Sequence, residues 1–256
     1  MPDPIIMMAS RGESTRIVFN ALNQHFDVAA VIIEKRESRK KFIKRRARRL
    51  GWPPVIGQIL FQGALFPLLK RNARDRIHDI KSQYELDTSP IPESLILEVS
   101  SVNEPEATEL LTDIDPGVVI INGTRIIAGR VLDAVEAPFL NMHAGITPAY
   151  RGVHGGYWAL AEDDPERCGV TVHLLDEGID TGGVLAQQAI SPTKRDNFST
   201  YPYLQLGAGL PHLVEQIQRA LQAQLAPSQP DDDDSNLWVH PTLPGYLYRR
   251  IAKGVQ

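Results

Sequence analysis

Five short apolar runs recur along the first part of the chain with helical patterns lying between them, and this alternation leaves few folds open. The runs are Ile5 to Ala9, Val28 to Ile33, Leu95 to Val99, Gly117 to Ile121 and Pro138 to Met142. Their nearly unbroken hydrophobicity suits parallel strands covered on both faces, because a sheet with one wet face would alternate polar and apolar residues. Ile17, Val18, Ala21 and Leu22 follow the first run at helical spacing and complete a strand, turn and helix unit. The expected fold class is therefore α/β, an open doubly wound, mostly parallel sheet with helices on both faces. Gly169 to Leu174 and Gly183 to Ile190 alternate more clearly and predict an antiparallel extension of that sheet. Leu210, Leu213, Val214, Ile217, Leu221 and Leu225 then mark a long amphipathic helix.

With 256 residues and 43% hydrophobic side chains, the chain can fill the core of one large domain, assigned to residues 1–226. Residues 227–236, with four consecutive aspartates, read as a flexible acidic linker. The tail at 237–256 contains Leu237-Trp238 and Tyr246-Leu247-Tyr248, too aromatic for a solvated coil, and is expected to dock on the core. One cysteine, Cys168, and an N-terminus without a basic and apolar leader point to a cytoplasmic protein.

The net charge of −4 hides an asymmetry, since Lys35 to Arg49 holds ten basic residues against Glu37 alone. Leu50 to Leu69 follows without a charge, and then Lys70-Arg71. Twenty apolar residues could cross a bilayer, but Pro53, Pro54, Pro67, Gln58, Gln62 and three glycines argue against a stable spanning helix. A helical insertion at about 35–80 fits three roles: covering the sheet or forming a homodimer contact, lying at a membrane as a peripheral contact through residues 35–71, or binding a nucleotide diphosphate. No nucleic-acid partner is expected, because the basic run lacks interleaved aromatics and the rest of the chain is acidic.

In an open α/β sheet, ligands collect at the carboxyl ends of the strands. The fifth run ends in Asn141-Met142-His143, and strand alternation puts the amide and the imidazole on one side. An amide can donate to a developing oxyanion, and an imidazole can move a proton near neutral pH. Asp180 lies in a glycine-rich turn, Asp176 to Gly183, from which a carboxylate could reach His143. No Cys/His cluster has metal-ligand spacing.

Three motifs in order, Asn141 to Gly152 (NMHAGITPAYRG), Gly169 to His173 (GVTVH) and Asp176 to Gly183 (DEGIDTGG), resemble the folate-dependent formyltransferase family. That family includes glycinamide ribonucleotide, methionyl-tRNA and amino-sugar formyltransferases. The resemblance implies formyl transfer from 10-formyltetrahydrofolate to a primary amine and carries the catalytic Asn, His and Asp onto Asn141, His143 and Asp180. It further implies a pterin pocket between Arg125, Ile126 and Ile127 on one wall and Asp176, Glu177, Gly178 and Ile179 on the other. Tyr150, Arg151, Gly152 and His154 are expected on the acceptor side, while His173 reads as a structural histidine within its strand. Ser10, Gly12 and Ser14 could cradle a phosphate at a helix N-terminus. Their turn nevertheless departs from the Gly-x-Gly-Ser-Asn pattern of the purine enzymes, and about twenty tail residues are too few for the C-terminal barrel of the tRNA enzymes. The expected acceptor is a phosphorylated or nucleotide-linked small amine, an amino sugar before glycinamide ribonucleotide. A non-catalytic membrane-associated binding module is the alternative from another class.

Overall fold

The computed structural model describes residues 3–229 and 235–256, so the four aspartates of the acidic segment lie outside the described residues. In chain order the elements are β1 (Ile5–Ser10), α1 (Glu13–Asn23), β2 (Val28–Glu34), α2 (Arg39–Leu50), α3 (Trp52–Leu60), α4 (Phe66–Asn72), α5 (Arg74–Gln83), β3 (Ile96–Val99), α6 (Pro105–Ile114), β4 (Val118–Asn122) and α7 (Gly129–Leu132). There follow β5 (Phe139–His143), β6 (Arg151–Gly152), α8 (Gly155–Ala161), β7 (Gly169–Leu174), β8 (Val184–Ala189), α9 (Tyr201–Leu221), β9 (Leu237–Trp238) and α10 (Leu243–Lys253).

Seven strands form one sheet in the order β3-β2-β1-β4-β5-β7-β8. The first five are parallel, and β7 and β8 extend the sheet antiparallel. Alternate residues of β1 enter two separate cores, Ile5, Met7 and Ala9 on one face and Ile6 and Met8 on the other. That two-sided burial is why the run is apolar throughout. The chain turns away in opposite directions from the β1 and β4 pair, so a crevice opens over the carboxyl ends of β1, β4 and β5.

Helix α9 begins at Tyr201 rather than near Leu210, and it carries Pro211 inside it. Close approach compensates for the weak helical propensity of this stretch. At Gly209 a Cβ would come within 2.5 Å of Met142 Sδ, so only the missing side chain lets α9 lie this close to β5.

The prolines of the insertion do not break it as their composition suggests. Helix α3 passes through a π-helical turn at Phe61–Leu65 into α4, giving a continuous rod from Trp52 to Asn72. Pro53 falls in the first turn, where a missing N–H costs nothing, and Pro67 directly follows the widened turn. Phe61 anchors the rod, its ring centroid 4.9 Å from Phe198 and 5.0 Å from Tyr246. Tyr246, on α10, is itself fully buried, and β9 pairs with β6, so the tail packs on the body of the molecule.

Candidate active site

The antiparallel pairing of β5 with β7 sets Asn141 opposite His173 and His143 opposite Thr171. Asn141 Nδ2 donates to His173 Nε2 at 3.2 Å, while His173 Nδ1–H donates to the Leu174 carbonyl at 2.7 Å. The second bond fixes the tautomer that lets Nε2 accept. His143 donates its Nε2–H to the Tyr150 carbonyl at 2.8 Å and turns Nδ1 toward Asp180 Oδ2, 3.3 Å away. That carboxylate oxygen also accepts from the Gly152 N–H at 2.8 Å, and Oδ1 lies 3.6 Å from His173 Nε2. Gly145 completes the seat of His143: a Cβ there would meet the Tyr150 carbonyl oxygen at 2.4 Å and His143 Nε2 at 2.8 Å.

Burial pushes the His143 pKa below its ordinary value, with Asp180 acting in the opposite sense. Burial would raise the Asp180 pKa, but the His143 ring and the Gly152 N–H hold it below the usual carboxylate range. Burial thus favours the neutral imidazole while the facing carboxylate favours the imidazolium, which poises the ring to exchange a proton at Nδ1. Such an arrangement can take up a proton at Nδ1 and stabilise the charge so formed.

These groups open into a cleft of about 650 Å³. Asn141, His143, Asp180, Arg125, Ile126, Ile127, Asp176, Gly178, Ile179, Ser14, Gly152 and His154 all line it. Five expected residues do not, each for a physical reason. Tyr150 buries its ring against Trp238, donates its hydroxyl to Asp164 at 2.9 Å, and serves the site through its carbonyl alone. Arg151 turns to the Ile179 carbonyl at 3.3 Å. Glu177 crosses over toward Gly129, and Gly12 opens onto a separate depression beside Arg16 and Glu93. Ser10 Oγ bonds the Gly123 carbonyl at 2.8 Å, so it shapes the loop behind the cleft instead of facing a ligand.

Several cleft residues escaped the sequence reading. His173 orients Asn141, and the signal for it was the strand register, which sets the two side by side on adjacent strands. Arg46 and Arg49 of α2, with Trp238 and Val239 of the tail, form a further wall. The basic run that holds Arg46 and Arg49 reads in the sequence as one candidate for binding a nucleotide diphosphate, but which of its cations reach the cleft, and that the tail joins them, depends on tertiary packing. His154 Nε2 lies 2.8 Å from His240 Nδ1, and burial, the neighbouring ring and Arg46 depress His154 to about 3. His240, likewise buried and near Arg46, is depressed to about 4. This neutral pair joins the cleft wall to the tail.

A family model described as formyl transferase matches residues 68–202, more than half of the chain. The protein belongs to the formyl transferase family. Within that match lie Asn141, His143, His173 and Asp180 and the whole Arg125 to Ile127 wall. Among curated relatives, the methionyl-tRNA formyltransferase of Chlorobium chlorochromatii is 29% identical over 153 residues, 57% of this chain and 48% of that protein. The GDP-perosamine N-formyltransferase of Brucella melitensis is 30% identical over 119 residues, 46% of each chain. This formyl transferase family member thus spans about half the length of the curated relatives it matches. The solved structure of the N-formyltransferase from Helicobacter canadensis, in complex with folinic acid and dTDP-3-aminofucose, shares the fold at a TM-score of 0.53 and 16% identity, over 91% of this chain and 70% of that one.

Proposed function

We propose that the protein transfers a formyl group from 10-formyltetrahydrofolate to a primary amine of a nucleotide-linked amino sugar. The observation that carries the reading is the cluster of Asn141, His143 and Asp180 at the mouth of β5, His143 buried and the other two half-buried, with one ring nitrogen 3.3 Å from a carboxylate. The cleft suits the donor, because Ile121, Ile126, Ile127 and Leu175 give apolar walls for a flat heteroaromatic ring. Arg125 N–H is committed to Glu34, the Ile126 carbonyl to Asn103, Gly178 N–H to Asp176 and the Ile179 carbonyl to Arg151, so the Ile126 and Ile127 N–H groups and the remaining polar atoms of the 176–179 loop are the ones offered to the ring.

10-Formyltetrahydrofolate supplies the activated formyl carbon. Asn141, one amide hydrogen held by His173, has the other for the oxygen on which negative charge builds as the amine adds. The neutral form of His143 would take the amine proton at Nδ1, with Asp180 stabilising the resulting imidazolium, and would return that proton to the leaving nitrogen of the donor as its bond to the formyl carbon breaks and tetrahydrofolate departs. Because Nε2–H is already given to the Tyr150 carbonyl, the ring fits proton transfer better than oxyanion donation. The acceptor assignment is supported by the relative named for GDP-perosamine and by the solved complex with an aminofucose nucleotide. Arg46 and Arg49 add positive charge suited to a diphosphate.

The test is incubation of purified protein with 10-formyltetrahydrofolate and a panel of nucleotide-linked amino sugars, glycinamide ribonucleotide and methionyl-tRNA, following tetrahydrofolate release. Release with an amino sugar is expected, with turnover lower by roughly two orders of magnitude or more in His143→Gln. Release only with glycinamide ribonucleotide or methionyl-tRNA would overturn the acceptor, and release with none would overturn the transfer itself.

A further inference from the structure

The rod from Trp52 to Asn72 is long and apolar enough to cross a membrane, yet it is seated on the domain along one face only. Val55, Gly57, Gln58, Phe61 and Leu69 are buried. Gln58 accepts from Arg46 Nε at 2.6 Å and donates to the His240 carbonyl at 2.8 Å. Gly57 sits so close to Thr242 that a Cβ would fall 2.8 Å from its side chain. These contacts hold the rod to the protein, so it cannot insert across a bilayer without being pulled out of the fold.

Its other face is left in water. Trp52, Ile56, Ile59, Leu60 and Leu68 are 44–57% exposed. On α10, which packs against α3, Tyr248 is 68% and Ile251 85% exposed. Isolated exposed apolar side chains are ordinary, but a row of them along one rod, with two more on a helix that packs against it, marks an interaction surface.

What flanks this surface argues for its occupant. Helix α2 joins α3 at Gly51 and turns Ile43, Ala47 and Leu50 inward. Lys40, Lys41, Lys44 and Arg48 are exposed, and among the described residues none of them meets a carboxylate, whereas Arg45 pairs with Glu37. A second copy of this chain would bring its own basic helix to such an interface and repel it. An apolar strip bordered by unneutralised cations is complementary to a bilayer with anionic headgroups, where apolar side chains enter the acyl boundary and lysines and arginines meet phosphate.

We propose that α2, the α3–α4 rod and the exposed side of α10 form a peripheral docking surface for an anionic lipid bilayer. The inference is independent of the catalytic reading, since none of its defining side chains belongs to the Asn141, His143 and Asp180 cluster.

The test is co-flotation of the full chain with phosphatidylcholine vesicles, with and without phosphatidylglycerol, together with Trp52 fluorescence and a Trp52→Phe control. Flotation is expected only with the anionic vesicles, weakening as salt rises, with a blue shift that the control lacks. Replacing Lys41, Lys44 and Arg48 by Gln should lower the partition coefficient by about a hundredfold. Ile56→Ser/Leu60→Ser/Leu68→Ser should abolish flotation with an unchanged melting temperature, these side chains being exposed already. Equal binding to neutral vesicles, or binding by the serine variant as strong as the parent's, would overturn the proposal. So would no binding to either vesicle, whether the chain is then monomeric or a dimer that the serine substitutions dissociate.

Discussion

His143 has both ring nitrogens engaged within the fold, and that fixes the sign of its response to pH. Its folded-state pKa lies below the ordinary histidine value of about 6.5, so the neutral, proton-accepting form persists under mildly acidic conditions and is lost as pH falls through the depressed value. Asp180 is the group that raises this pKa against burial. Asp180→Asn should therefore move the acid limb of the kcat/KM profile to lower pH while cutting the rate by roughly two orders of magnitude. An acid limb displaced upward would show that another group sets the profile. The residues of this cluster were not equally legible in the sequence. Asn141 and His143 follow from strand alternation at a strand end, whereas Asp180 sits in a glycine-rich turn whose path no periodicity gives, so its place beside His143 rests mostly on family resemblance. His173 was passed over because its partner stands on a neighbouring strand, and a single strand read alone cannot disclose cross-strand neighbours. Tyr150 and Arg151 erred in the opposite way: the motif located their loop beside the cleft but not the direction of their side chains.

Among the elements, the tail makes the clearest demand on pH. His154 and His240 face each other at 2.8 Å, depressed to about 3 and about 4, against about 6.5 in an unfolded chain. Docking in this form contributes stability that is fully present above the unfolded value and is lost as pH falls toward the folded ones. Acid titration should thus release β9 and α10 before the sheet melts, read as a change in Trp238 fluorescence while far-ultraviolet dichroism holds. His240→Gln should reduce that early change, and a transition that remains coincident by both probes would refute a separable tail. The same scale explains two misread elements. Helix α9 starts upstream of the apolar stripe because Gly207 and Gly209 pack against Tyr84 and Met142, and the α3–α4 rod survives its prolines because one π-helical turn absorbs Pro67. Both depend on contacts between segments far apart in sequence, which local propensity does not contain.

For the whole molecule, the seven-strand α/β architecture was legible because two-sided burial imprints each strand as an apolar run. Less visible is how the helical insertion is tied to the rest. Arg76 on α5 reaches Asp196, ahead of α9, with bonds at 2.8 and 3.0 Å, and the carboxylate also accepts from Thr193 N–H and Oγ1. The Asp196 side chain is fully buried, so its removal leaves Arg76 facing the interior without its partner. Asp196→Ala should cost about 3–5 kcal/mol in urea denaturation with little change in slope. A loss below about 1 kcal/mol would mean that the insertion is held by apolar packing alone.

The two walls of the cleft come from different tracts of the chain. Asn141, His143 and Asp180 and the Arg125 to Ile127 loop fall within residues 68–202, whereas Arg46, Arg49, Trp238 and Val239, which face them, lie on either side of that stretch. On the proposed reading, the reacting groups and the groups offered to the acceptor's diphosphate thus lie in separate passages of one sequence, so α2 and the tail can be altered without touching Asn141, His143 or Asp180.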